Sequence, residues 1–252
     1  MTQDRPVAVV TGSTSGIGRA TAERLAADGY DLVIHGLDDT GLDDAVGAVE
    51  QLGARTASVT GDICDPATAR RLAETAHSGF GRLDALVNNA GAGFFSRVTD
   101  MTDSQWRGVF GLHVDAVFRA TQQAFPLLKE AHGAVVNISS VAAIFWLPER
   151  VAYSSAKSAI IGMTHAMACE WAAEGVRVNA VAPGTIETPL VAENFRTGRV
   201  AKDPVVSRIP MKRLGRPGEI ASVIAFLLSE SASYLTGQII FVDGGWTSSG
   251  GW

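Results

Sequence analysis

Val7-Ala8-Val9-Val10-Thr11-Gly12-Ser13-Thr14-Ser15-Gly16-Ile17-Gly18 runs from a β-branched segment through a glycine-punctuated turn into an alanine-rich stretch of helical spacing. Glycines at 12, 16 and 18 let the backbone turn tightly and come close to a pyrophosphate. A helix starting at this point offers unpaired N–H groups to the anion. The spacing differs from the commoner G-x-G-x-x-G, and a glycine-rich turn by itself makes only a bend. Its place between a first strand and a first helix gives it meaning.

Outward from this turn the same alternation repeats. Short apolar runs over 7–11, 32–35, 56–60, 85–88, 134–138, 177–181 and 238–242 read as strands. Stretches over 16–27, 42–52, 66–77, 103–128, 152–174 and 217–229 have helical spacing. Alternating strands and helices imply parallel strands joined by right-handed crossovers. The expectation is an α/β fold: one Rossmann-type, doubly wound sheet of about seven parallel strands flanked by helices. With no composition break in 252 residues, one domain over 1–252 is the economical reading. The stretch 188–213, with Pro189, Pro204 and Pro210, breaks the rhythm and reads as an irregular insertion, either a substrate lid or a surface excursion.

Composition narrows the function. Apolar residues at 46% against 19% charged support a large core, and a net charge of −5 without a basic run argues against nucleic acid and membrane surfaces. Cys64 and Cys169 stand alone, with no zinc-site spacing among cysteines and histidines, so no metal is expected. No stretch is long and apolar enough to span a bilayer and no signal peptide is evident, so a cytoplasmic protein is expected.

Further marks follow in order: Asp62, Asn88-Asn89-Ala90-Gly91, Ser140, Tyr153-x-x-x-Lys157, Pro183-Gly184 with Thr188, and Asp243-Gly244-Gly245. With the TGxxxGIG turn, the chain resembles the short-chain dehydrogenase/reductases from Val7 to about Gly245. The resemblance implies a nicotinamide dinucleotide held by Gly12, Ser15, Gly16, Ile17, Gly18, Leu37, Asp62 and Ile63. It assigns Asn89, Ala90, Gly91, Pro183, Gly184, Ile186 and Thr188 to the same cleft, and Lys157 to the nicotinamide ribose. It also implies a homotetramer.

Hydride transfer to a ketone leaves an alkoxide that needs a proton. A free tyrosine has a pKa near ~10, which a neighbouring cation lowers. Tyr153 and Lys157 lie four apart on an expected helix, hence on one face, so Lys157 can act on the phenol. Ser140, at the end of the fifth strand, can hold the substrate oxygen; Ser139 is adjacent, and the resemblance favours Ser140. Where the family usually carries an asparagine that supports a water path to the lysine, this chain has His113. His113 either takes over that role or packs in the core. In the first case, His113→Asn is expected to shift the pH profile.

The second strand ends in Gly36-Leu37-Asp38-Asp39, with no basic residue there or at Ser15 to meet a 2′-phosphate. Asp38 and Asp39 would repel one, so NAD is expected and NADP is less favoured, although the aspartate that commonly specifies NAD would align with Gly36. Asp38 can instead help to start the next helix with Asp39 and Thr40.

Substrate contacts are expected from Gly93-Phe94-Phe95, 142–151 and 188–213, with Ser140, Tyr153, Phe94, Phe95, Trp146 and Arg150 as candidates. Trp146 and Phe145 either narrow the pocket or meet another subunit. Arg150 either grips a substrate carboxylate or forms a solvated pair with Glu149. The expected activity is NAD-dependent oxidation of a small polar secondary alcohol (sugar, polyol or hydroxy acid) or the reverse. The rivals are an NADPH-dependent 3-oxoacyl thioester reductase and a non-catalytic dinucleotide sensor. The tail ending in Trp252 is either loose or docked on a neighbouring subunit or the site.

Overall fold

In the computed structural model, which describes residues 5–249, the chain forms a seven-stranded, all-parallel sheet. The strands are β1 Val7–Val10, β2 Asp31–Gly36, β3 Thr56–Thr60, β4 Ala85–Asn88, β5 Ala134–Ile138, β6 Arg177–Pro183 and β7 Ile239–Val242, in the order β3-β2-β1-β4-β5-β6-β7. The helices are α1 Gly16–Ala27, α2 Leu42–Gln51, α3 Pro66–Phe80, α4 Asp103–Phe110, α5 Ala116–Ala131, α6 Val151–Trp171, α7 Pro189–Arg196, α8 Lys202–Arg208 and α9 Pro217–Leu228.

Alternation along the strands explains the layering. Ala8 and Val10 of β1 and Leu32 and Ile34 of β2 face one core with Leu25 of α1 and Ile220 and Ile224 of α9. Val7, Val9 and Val33 face the opposite core, with Leu72 of α3, Leu128 of α5 and Trp171 of α6. Burial on both faces is why these strands are short continuous apolar runs. Successive strands run outward from β1 on one side and from β4 on the other. The crevice beyond the carboxyl ends of β1 and β4 is therefore where a ligand fits.

Two expected elements fold differently. The stretch 103–128, read as one helix, is interrupted by a π-helical turn, Gly111–Asp115, between α4 and α5. A π-turn widens the helix by one residue and often marks a functional position. The stretch 188–213, read as irregular, contains α7 and α8. Thr188 caps α7 by accepting from the Val191 N–H, and Pro189 occupies its first turn, where a missing N–H costs nothing.

A polar ladder crosses the buried centre. Asn88 and Asn137 are register partners on β4 and β5. The Asn88 amide donates to Thr121 Oγ1 of α5 (2.8 Å) and to Asn137 Oδ1 (2.9 Å), and the Asn137 amide donates to Thr164 Oγ1 of α6 (3.0 Å). Removing the middle member strands buried polar atoms on both sides. Asn137→Ala should lower unfolding free energy by about 2–4 kcal/mol, read from the urea midpoint at unchanged m-value; a loss within error of zero would show that the ladder is dispensable.

Candidate active site

A cavity of about 740 Å³ occupies the crevice at the carboxyl edge of the sheet. Its floor is the turn after β1. Gly12 and Gly16 adopt positive φ (64° and 56°), which a side chain would strain. Ser15 precedes α1 without a side-chain cap bond, so the first-turn N–H groups stay available to an anion. Thr11 Oγ1 accepts from the Asn89 and Ala90 N–H groups at 2.9 and 3.0 Å, and the Asn89 amide donates to Thr11 O (2.8 Å) and Gly12 O (3.1 Å). The loops after β1 and β4 are thereby fixed to each other across the crevice. Gly12, Ser15, Gly16 and Ile17 line the cavity, but Gly18 does not. A Cβ on Gly18 would collide with the Gly12 carbonyl and the Asn89 amide, so this glycine serves helix-to-turn packing.

His35, which the sequence reading passed over as a strand residue, braces this floor. Its Nδ1 accepts from the Gly12 N–H (3.0 Å) and its Nε2–H donates to Gly61 O (3.0 Å). Both bonds need the neutral ring, and burial pushes its pKa down. An imidazole ending an otherwise apolar strand was the available signal.

The far end on the β2–β3 side is formed by Leu37, Asp62 and Ile63. Leu37 is 68% exposed, and no Lys or Arg lines this end. A Cβ on Gly36 would lie 2.8 Å from Asp38 O and 2.9 Å from Thr14 Cγ2, so the strand end has no room for a carboxylate side chain. Asp38 accepts from the Thr40 N–H within the turn, and Asp39 accepts from the hydroxyl of Thr60 at the end of β3. Asn89, Ala90, Gly91, Pro183, Gly184, Ile186 and Thr188 continue the wall toward the opposite end.

At that opposite end stand Ser140, Tyr153 and Lys157, together with His113. Two bonds fix α6 to the end of β5: Lys157 Nζ donates to Ile138 O (2.7 Å), and Ser139 Oγ donates to Lys157 O (2.9 Å). Ser139 therefore spends its hydroxyl on the helix, whereas the Ser140 hydroxyl meets Tyr153. Burial raises the Tyr153 pKa; the Arg150 guanidinium and the Ser140 hydrogen bond work against that rise. Burial also pushes the Lys157 ammonium down to about 8.

The π-turn carries His113 into the site, edge-on to Tyr153 at 5.3 Å between ring centroids and 87° between planes. Its Nε2–H donates to Ala92 O (2.9 Å), so the buried Nδ1 is a bare acceptor bonded to no atom of the described residues. A Cβ on Gly91 would come within 2.7 Å of His113 Cε1, so glycine there makes room for the imidazole. Burial first, then the Lys157 charge, hold His113 down at about 3. The expected pH-profile shift from His113 titration is therefore corrected: the ring is neutral throughout the neutral range.

Three substrate expectations also change. Trp146 is 77% exposed and does not line the cavity; Leu147 does. The Phe94 ring packs against Val109, Ala152 and Ala156 instead of the cavity, and its carbonyl accepts from Arg150 Nη1 (3.1 Å). Arg150 forms no surface pair with Glu149. Its guanidinium lies between the Phe95 ring (4.1 Å) and the Tyr153 ring (4.4 Å), inside the cavity wall. From α7, Leu190, Val191, Asn194 and Phe195 face the cavity, a helical spacing that sequence reading missed because prolines obscured it.

Among the described residues there is no cluster of metal-ligating side chains and no helix long and apolar enough to cross a membrane. Cys64 is half-buried and its thiol is pushed up to about 11 by burial and Asp62, so it is no nucleophile. Trp252 lies outside the described residues, but Trp246 lines the cavity.

The two buried histidines set a pH dependence. Their folded pKa values lie below the ordinary 6.5, so an unfolded chain takes up protons that the fold refuses. This contribution to stability is full above pH 6.5 and is lost as pH falls toward the folded values. Between about pH 6 and 4, stability of the wild type should fall more steeply than that of His113→Asn by about 1.4 kcal/mol per pH unit. Equal slopes in denaturant titrations would exclude a depressed His113.

The sequence and the fold have counterparts in known proteins. A family model described as enoyl-(acyl carrier protein) reductase matches residues 12–247. A 3-oxoacyl-[acyl-carrier-protein] reductase of Thermotoga maritima is 37% identical over 240 residues, 95% of this chain and 96% of that protein. Glucose 1-dehydrogenase 2 of Bacillus subtilis is 37% identical over 244 residues, with 95% and 94% covered. The crystal structure of a glucose/ribitol-type short-chain dehydrogenase/reductase from Brucella melitensis superposes with a TM-score of 0.89 at 38% identity, covering 96% of each chain. The chain belongs to the short-chain dehydrogenase/reductase family of oxidoreductases, which act on CH–OH groups with a nicotinamide dinucleotide.

Proposed function

We propose that the protein interconverts a compact secondary alcohol and its ketone with NAD, Tyr153 carrying the proton. The observation that carries this reading is the meeting of the Tyr153 phenol with the Ser140 hydroxyl at one end of a cleft whose floor is a phosphate-binding turn. Bound NAD supplies the hydride acceptor. In oxidation, Ser140 holds the substrate oxygen while Tyr153 takes its proton; in reduction, the phenol returns one. The Lys157 ammonium, buried beside Tyr153 and tied to Ile138, is placed to hold ribose hydroxyls. His113 Nδ1, as a neutral acceptor, fits a water-mediated link toward Lys157.

NAD is favoured over NADP because the adenine end presents Leu37 and Asp62 and no cation. For the substrate, the walls count. Phe95, Leu147, Leu190, Phe195, Val200 and Val205 face it, with few polar groups beyond Ser140, Tyr153, Arg150 and Asn194. Hydroxyls facing such walls would be desolvated without partners. Within the class of sugar, polyol or hydroxy acid, this supports members with few hydroxyls on an apolar body. A 3-oxoacyl thioester is the second reading, favoured by the similarity to the Thermotoga reductase. Retention of Ser140, Tyr153 and Lys157 speaks against a non-catalytic sensor. A homotetramer remains part of the proposal through the family resemblance.

Tyr153→Phe should reduce turnover at least ~100-fold in both directions while leaving dinucleotide binding intact. A variant that retains activity would remove Tyr153 from the chemistry. Because burial keeps the phenol protonated, alcohol oxidation should rise with pH and ketone reduction should fall. In a screen of secondary alcohols and 3-oxoacyl thioesters, kcat/KM should favour NAD over NADP by about tenfold or more, equivalent to ~1.4 kcal/mol. An NADP preference would overturn the cofactor assignment.

A further inference from the structure

Arg150 stands at the N-cap of α6 and sends its guanidinium back over two aromatic rings, Phe95 at 4.1 Å and Tyr153 at 4.4 Å. Nη1 donates to Phe94 O (3.1 Å), and the other guanidinium N–H groups bond no atom of the described residues. Among those residues no carboxylate forms an ion pair with it. A half-buried cation is costly unless an anion or hydrogen-bond acceptors take up its charge, and burial already pushes its pKa down. The two rings offset part of that cost, but they accept nothing from N–H groups in the guanidinium plane. The cavity wall repeats the imbalance. Among the described residues Asp62 is the only carboxylate lining it, and Asp62 lies at the far end beside Leu37. The end that holds Ser140 and Tyr153 carries two cations, Arg150 and Lys157, of which Lys157 is tied to Ile138 O. Arg199 adds positive charge 5.8 Å from the centroid of the Phe95 ring. The other walls there are apolar: Phe95, Leu147, Leu190 and Phe195.

We propose that Arg150 binds a substrate carboxylate, so that the substrates are 2- or 3-hydroxy acids and the matching oxo acids. A guanidinium offers a carboxylate two parallel N–H groups, which adds a match of geometry to the match of charge. Its place against the Tyr153 ring sets the spacing. A carboxylate on the free edge of Arg150 and a carbinol held by Ser140 and Tyr153 belong to one short molecule. The rest of that molecule meets Phe95, Leu147, Leu190 and Phe195, which suits an apolar chain and leaves further hydroxyls without partners. In oxidation the carbinol carbon gives its hydride to NAD and the hydroxyl gives its proton to Tyr153. The product is the oxo acid, and the carboxylate is unchanged. The proposal rests on the reading of Ser140 and Tyr153 as the reacting pair, and it ranks free hydroxy acids above sugars, polyols and thioesters.

The test compares acids with their esters on the enzyme loaded with NAD, using 2- and 3-hydroxyhexanoate and the methyl ester of each. For the better acid, kcat/KM should exceed that of its own ester by at least ~10-fold, because a site built for a charged partner rejects the analogue that lacks it. In Arg150→Gln and Arg150→Met this acid-to-ester ratio should fall by at least ~10-fold, chiefly through KM, and Arg150→Lys should recover part of it. Hexanoate has no carbinol and reports binding without turnover. Calorimetry with NAD present should show hexanoate bound more tightly than hexanamide by the wild type, and its Kd raised at least ~10-fold in the neutral variants. Circular dichroism checks folding, and whichever of the Gln and Met variants folds is read. An ester used as well as its acid overturns the proposal, as does an unchanged ratio or an unchanged hexanoate Kd in that variant. If esters are turned over through Tyr153 without any preference for acids, the proposed function stands and the role of Arg150 fails. If no probe is turned over but hexanoate binding still depends on Arg150, the reading of Tyr153 fails and the anion site is upheld.

Discussion

The site depends on how α6 is fastened to the end of β5. The Lys157 ammonium reaches back to Ile138 O, and the Ser139 hydroxyl reaches forward to Lys157 O, so strand and helix each donate to the other's backbone. Both bonds are buried, where an unmade partner costs more than the bond itself contributes. With that joint closed, Ser140 follows Ser139 out of the sheet and Tyr153 lies one turn before Lys157. The phenol then meets the serine hydroxyl without any flexible element between them. The polar ladder from Thr121 through Asn88 and Asn137 to Thr164 extends the same constraint across the sheet.

Much of this was legible in the chain. Short continuous apolar runs, repeated between helical stretches, carried the parallel sheet, and the turn after β1 located the cleft. The strands were read nearly at their observed bounds because each apolar run is bounded by turn residues or helical stretches. Tyr153 and Lys157 could be placed together from spacing alone, since residues four apart share a helical face. The family motifs supplied Ser140 where spacing could not choose it over Ser139.

What escaped the sequence has a common physical cause: it depends on side chains meeting from distant segments. Arg150 looked like half of a surface pair because Glu149 is its neighbour, yet the rings that hold it come from β4's loop and from α6. Trp146 looked like a pocket residue by bulk, but the backbone turns it outward and brings Leu147 in. The π-turn has no signature in hydrophobic period, since one extra residue in a helix does not disturb the apolar count. The helices of 188–213 were masked by prolines: Pro189 starts α7 and Pro204 lies in the first turn of α8, where the missing N–H is tolerated, and Pro210 follows the end of α8.

The contact between Gly91 and His113 bears on how this chain can diverge. The imidazole occupies the space that a Cβ at position 91 would need, so the two positions cannot vary independently. A side chain at 91 would push the imidazole away from the tyrosine ring it faces edge-on, so the volume at 91 and the placement of the ring at 113 are one quantity shared by two segments.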